Sequence, residues 1–130
     1  MLQFNATGLF VKEMEAMVSF YRDVMGMETD WTEGPYASLQ SGTARLMLYG
    51  RKDFETMTGR VYKYPEGFNG TLELAFEAGS PADVDTEYNR TVRAGAAPVM
   101  PPTDEPWGMR CCYVADPDGN LIEIFGIFKS

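Results

Sequence analysis

Residues 105–126 read EPWGMRCCYVADPDGNLIEIFG, and this stretch decides the fold. Two runs of β-favouring residues, 109–115 and 120–127, flank Asp116-Pro117-Asp118-Gly119. Proline presets φ and glycine accepts positive φ, so the four residues predict a tight turn and the whole a hairpin. Alternate residues of a strand share a face, which groups Met109, Cys111 and Tyr113 on one strand and Leu121, Glu123 and Phe125 on the next. Glu123 sits inside the apolar run LIEIF and is expected to be largely enclosed. A buried carboxylate is costly unless it has a partner. Two expectations follow: Glu123 serves a ligand, or it pairs with a neighbouring arginine, Arg45 or Arg110.

Moving toward the N-terminus, residues 97–100 read as a strand, with PPTDEPWG as the loop that follows. Before it, Ser80-Pro81-Ala82-Asp83 opens a helix. Ser80 suits the cap, Pro81 the first turn and Asp83 the position three residues after the cap. Val84, Tyr88 and Val92 mark its buried stripe, and Gly95 ends it. Residues 71–78, TLELAFEA, read as the strand that leads into this helix.

The first half repeats the order. Residues 3–11 read as a strand. Met14, Met17, Val18, Tyr21 and Val24 recur at helical spacing, and Gly26 stands where a left-handed cap belongs. Residues 27–33, 35–40 and 44–50 read as three further strands. Residues 51–70 lack clear periodicity and form the connection between halves, with a short helix near 52–58 and the character of a lid or dimer-contact segment. The expected class is α+β: two βαβββ repeats, halves 1–50 and 71–130 of a single domain, forming curved mixed sheets around a ligand trough.

Composition narrows the function. The chain has 130 residues, a net charge of −8 and no histidine. A phosphate-binding surface needs a basic face, so nucleic acid is not an expected partner. No apolar run is long enough to span a bilayer and no leader peptide is evident, so a cytoplasmic protein without a membrane role is expected. The adjacent Cys111 and Cys112 point to opposite strand faces and predict free thiols rather than a bridge. Without histidine, the two-histidine-one-carboxylate iron site of extradiol dioxygenases cannot be built.

Three stretches, GLFVKEMEAMVSFYRDVMGM (8–27), TLELAFEA (71–78) and residues 105–126, resemble the vicinal oxygen chelate superfamily. That group includes glyoxalase I, bleomycin-resistance proteins, fosfomycin-resistance enzymes and ring-cleaving dioxygenases. In its metal-dependent members four side chains meet in the trough, and the resemblance places them at Ala6, Met47, Glu73 and Glu123. Ala6 and Met47 cannot bind a hard cation. Glu73 and Glu123 could hold Mg²⁺, Mn²⁺ or Ni²⁺ only weakly, and no cofactor is the leading expectation. The resemblance also implies a pocket lined by Met47, Tyr49, Met109, Cys111 and Tyr113 with Trp107 at its rim; simple packing is the competing expectation for each aromatic. It further implies a homodimer.

Two functions follow. In the first, the protein binds a small cationic or aromatic ligand in an acidic trough without a complete metal site, as bleomycin-resistance proteins do. In the second, it is a divergent glyoxalase-type lyase or isomerase in which Glu123, with Glu73, moves a proton on an α-oxo substrate.

Overall fold

A computed structural model describes residues 1–129. The chain separates into two compact units, Met1–Tyr64 and Pro65 onward. The class is α+β, as expected. The helix expected near 52–58 forms at Arg51–Thr58, and it and the segment up to Tyr64 belong to the first unit.

In the first unit, β1 (Thr7–Val11) leads to α1 (Met14–Ser19), which continues as a π-helical turn over Phe20–Val24. Strands β2 (Tyr36–Ser41) and β3 (Ala44–Gly50) follow, then α2 (Arg51–Thr58). The sheet order is β1-β3-β2, with β1 parallel and β2 antiparallel to β3. The widened turn keeps Phe20 in the core with Met17, Val18, Tyr21 and Val24. These residues lie against the sheet face carrying Leu9, Val11, Ala37, Leu39, Leu46 and Leu48, all buried.

Two expectations for this unit need correction. The strand expected at 3–11 begins only at Thr7. The strand expected at 27–33 is absent: Glu28 and Gln40 form an isolated bridge, and the sheet has three strands rather than four. Side-chain bonds replace the ladder there. Thr29 Oγ1 donates to the Ser38 carbonyl at 2.9 Å and accepts from the Trp31 N–H at 3.2 Å, while Trp31 Nε1 donates to the Gly34 carbonyl. Such local bonds compete with sheet pairing.

In the second unit, β4 (Asn69–Glu77) leads to α3 (Pro81–Arg93), then β5 (Ala97–Glu105), β6 (Met109–Ala115) and β7 (Asn120–Ile127). The order is β4-β7-β6-β5, with β4 parallel to β7 and the rest antiparallel. Ser80 caps α3 by accepting from the Asp83 N–H, and Pro81 opens the helix. Val84 and Thr91 of α3 are buried, as are Cys112, Val114, Ile122 and Ile124 on the sheet face it covers; Val92 is only half-buried.

The loop expected at PPTDEPWG is mostly strand. β5 runs to Glu105, with its register shifting between Pro98 and Met100 and again before Thr103. Prolines lack the N–H of a ladder and are tolerated because β5 is an edge strand. The Asp116–Gly119 turn forms as expected. Asp116 accepts from the Asp118 and Asn120 N–H groups and from Asn120 Nδ2, each at 2.9 Å. Gly119 has φ +87°, and a Cβ there would collide with the Gly67 carbonyl.

Candidate functional site

Strand alternation and register decide what the uncovered face of the second sheet displays. Glu123 pairs with Tyr113 on β6 and with Ala75 on β4; Phe125 pairs with Cys111 and Glu77; Leu121 pairs with Ala115 and Glu73. On β5, Thr103 and Glu105 pair with Cys111 and Met109. Glu73, Glu77, Glu105 and Glu123 therefore share the face turned away from α3, and no lysine or arginine in these strands points the same way. Arg110 lies on the opposite side, bound to Asp85 of α3 and Asp104, each at 2.9 Å.

The centre of this face is Glu123, half-buried rather than largely enclosed. The Tyr113 hydroxyl donates to its Oε2 over a long 3.4 Å. Burial raises the Glu123 pKa, and the charge of Glu73 raises it further; hydrogen bonds from Tyr113 and Cys111 oppose both. Tyr113 is held far above its ordinary range, first by burial, then by its hydrogen bond to Glu73 and the charge of Glu123. Its single hydroxyl proton is directed at Glu123, with Glu73 contributing to the same acidic surroundings. Cys111 is pushed up to about 11, mainly by burial and then by Glu123, and Cys112 to about 12, mainly by burial. Both are buried free thiols, so neither is an activated nucleophile at neutral pH.

The arginine partners considered for Glu123 do not serve it. Arg110 is engaged on the helix side. Arg45, in the first unit, donates to Ser38, Asn5 and Tyr36.

The other expected lining residues divide between the units. Met47 and Tyr49 sit half-buried on the face of the first sheet turned away from α1, near Arg45 in β3, and Tyr49 packs against Phe54 and Met57 of α2. Met109, Cys111 and Tyr113 share the face of Glu123. Trp107 stands in the β5–β6 turn, 70% exposed. Met109 is four residues from Tyr113 along β6, roughly 13 Å, so Trp107 lies at the end of this face rather than over its centre. Glu77 and Glu105 were missed, although the period-2 rule applied to TLELAFEA places Glu77 with Glu73. Register shifts at the prolines hid Glu105.

The four positions implied for a metal correspond between the two units, with Ala6 just before β1. Ala6 is two residues before Gly8, which pairs with Met47; Glu73 is two residues before Ala75, which pairs with Glu123. The first pair supplies no oxygen or nitrogen ligand. Among the described residues no group of three or more His, Cys, Asp or Glu is arranged to hold a metal ion. The family's metal chemistry does not fit these side chains. Two surface clefts, one of about 630 Å³ bordered by Glu13, Trp31 and Glu33 and one of about 330 Å³ at Phe68 and Asp116–Gly119, touch neither Glu73 nor Glu123.

No described helix is long and apolar enough to cross a membrane. Comparison with known proteins agrees with the overall fold. The chain is 31% identical over 121 residues to the uncharacterized protein YraH of Bacillus subtilis (strain 168), covering 90% of this chain and 92% of that one. A glyoxalase/bleomycin resistance protein/dioxygenase from Nocardioides superposes with a TM-score of 0.79 at 28% identity, over 100% of this chain and 87% of its own. A lactoylglutathione lyase from Agrobacterium tumefaciens superposes with a TM-score of 0.74 at 25% identity, over 95% and 92%. Residues 3–124 match the family model of the Glyoxalase/Bleomycin resistance protein/Dioxygenase superfamily, and the chain belongs to that superfamily.

Proposed function

We propose that this protein binds a small organic cation on the uncovered face of its second sheet, with Glu123 and Glu73 receiving the positive group. One observation carries the reading: four glutamates share that face with no basic strand residue among them. Like charges so arranged repel, and an ammonium or guanidinium group relieves the repulsion while donating charge-assisted hydrogen bonds to the carboxylates. The net charge of −8 favours approach of a cation. Met109, Tyr113 and Phe125 offer apolar contact to the body of the ligand. On the same reading the protein acts as a homodimer in the cytoplasm.

The test is calorimetric titration with tyramine and with its neutral counterpart 4-ethylphenol. Tyramine should bind at least about tenfold more tightly than 4-ethylphenol, and Glu123→Gln should abolish the difference. Equal binding of the two, or an unchanged preference in the variant, removes the proposal.

A second reading has its own support in the raised pKa of Glu123 and the likeness to a lactoylglutathione lyase. The Glu123 carboxylate takes a proton from carbon next to a carbonyl, and Tyr113 and Cys111 hydrogen-bond that carboxylate. Hydroxyacetone in D₂O tests it. Deuterium entering the carbon beside the carbonyl, lost in Glu123→Gln, supports proton transfer; no enzyme-dependent exchange excludes it for this probe.

A further inference from the structure

The face of the first sheet turned away from α1 carries one charged strand residue, Arg45, among Gly8, Phe10, Tyr36, Met47 and Tyr49, and α2 covers its Phe10–Tyr49 end. Arg45 is half-buried and held at three points. Its Nε donates to Ser38 Oγ at 2.9 Å, Nη1 to Asn5 Oδ1 at 3.0 Å and Nη2 to Tyr36 Oη at 3.1 Å. All three partners are neutral. Arg22, Arg90 and Arg110 each lie against a carboxylate, whereas Arg45 has none among the described residues.

The direction of these bonds matters. A guanidinium is a donor only, so Ser38, Asn5 and Tyr36 must each turn an acceptor toward it. Their own donors are left over: the Ser38 and Tyr36 hydroxyl protons and the Asn5 amide protons donate to no other protein group among the described residues. Arg45 itself keeps two of its five N–H groups after three bonds. The cluster is thus a fixed set of donors without an acceptor, on a surface of rings. The Tyr36 and Tyr49 rings meet edge-on at 6.3 Å, and Phe10 stacks on Phe54 of α2 at 4.1 Å. Phe10 and Tyr36 remain about two-fifths exposed, at 41% and 42%. The complement of such a cluster is a group that only accepts, attached to an apolar body.

We propose that Arg45, with Asn5, Ser38 and Tyr36, binds the carboxylate of a small aromatic acid, whose ring lies on the exposed part of Tyr36 beside Met47. A carboxylate matches the planar fork of a guanidinium, and surrounding apolar rings weaken competition from water. This site stands on the first unit alone and does not depend on the acidic face of the second.

Phenylacetate and its neutral isostere phenylacetamide distinguish the alternatives by calorimetry on the full chain. Phenylacetate should bind saturably and at least about tenfold more tightly than phenylacetamide. Arg45→Gln should remove that preference, Arg45→Lys should restore part of it, and Tyr36→Phe, which keeps the ring, should weaken phenylacetate about threefold or more through the lost O–H donor. Should Arg45→Gln fail to fold, the comparison of the two ligands on the unaltered protein and the Tyr36→Phe variant decide the matter. No saturable binding of phenylacetate up to about 10 mM, or equal affinity for acid and amide, overturns the proposal and leaves Arg45 as a tie between Asn5 and the sheet.

Discussion

The faces of the two sheets turned away from α1 and from α3 are built by the same rule and display opposite chemistry. In the first unit the face is aromatic with a single cation, Arg45; in the second it holds four glutamates and no strand cation. Beneath them the covered faces are alike: Leu9, Leu39, Leu46 and Leu48 in one, Cys112, Val114, Ile122 and Ile124 in the other, all buried. The difference teaches that the repeat constrains the helix side of each sheet, while the other side is set independently in each unit.

The comparison can be broken or sharpened by substitution. The largest effect is expected at the turns. Gly119 and Gly42 both have positive φ, at +87° and +58°, but only Gly119 lacks room for a Cβ, because the Gly67 carbonyl occupies it. Gly119→Ala should destabilise by roughly 3 kcal/mol or more and Gly42→Ala by about 1 kcal/mol. Urea unfolding measures both, and equal losses would show that the second turn is no tighter than the first.

Next comes thiol chemistry, which reports on the second unit alone because both cysteines lie there. With Cys111 raised to about 11, its thiolate fraction at pH 8 is about 100-fold below that of an ordinary thiol, before burial slows access further. Alkylation by iodoacetamide should be slowed by at least that factor and released in denaturant. Rapid labelling of the folded protein would contradict the burial of both thiols.

A smaller effect follows from moving a carboxylate between faces. Met47→Glu places one two residues from Arg45 on the same side of β3, within reach of the guanidinium. Phenylacetate affinity should fall about tenfold as the new side chain occupies Arg45. Unchanged affinity would place the anion elsewhere.

The smallest effect is on pH dependence. The folded protein holds the Glu123 proton more tightly than the unfolded chain does, since burial and Glu73 raise its pKa. Stability contributed by this group is therefore present at low pH and falls as pH rises from the ordinary carboxylate value through the raised one. Glu123→Gln should show a shallower decline of the urea midpoint across that window. A steeper decline in the variant would reverse the sign assigned to Glu123.

The second unit was the more legible from sequence. Ser80-Pro81 and Asp116–Gly119 state their turns in backbone chemistry, and alternation from Met109 to Phe125 places each residue on its true face. The first unit was less so because Thr29 and Trp31 look like strand residues yet spend their polar groups on Ser38 and Gly34, information that no propensity carries. At the candidate site, Glu73 and Glu123 could be read from the family resemblance and Tyr113 from period-2 spacing. Arg110 could have been rejected as a partner on parity, since it pairs with Gly126 on the side opposite Glu123. The role of Arg45 depends on the direction of three hydrogen bonds and was not readable from sequence.

Strand β7 writes two messages in alternate letters. Asn120, Ile122, Ile124 and Gly126 are buried, while Leu121, Glu123 and Phe125 are half-exposed. Selection can rewrite the second message without erasing the first, as long as the count of residues stays fixed. A single inserted residue before Glu123 would instead exchange the two, sending a carboxylate into the core and isoleucines to the surface. Lineages sharing this architecture are therefore free to drift in what their sheets display, yet are held strictly to the length of the strands that display it.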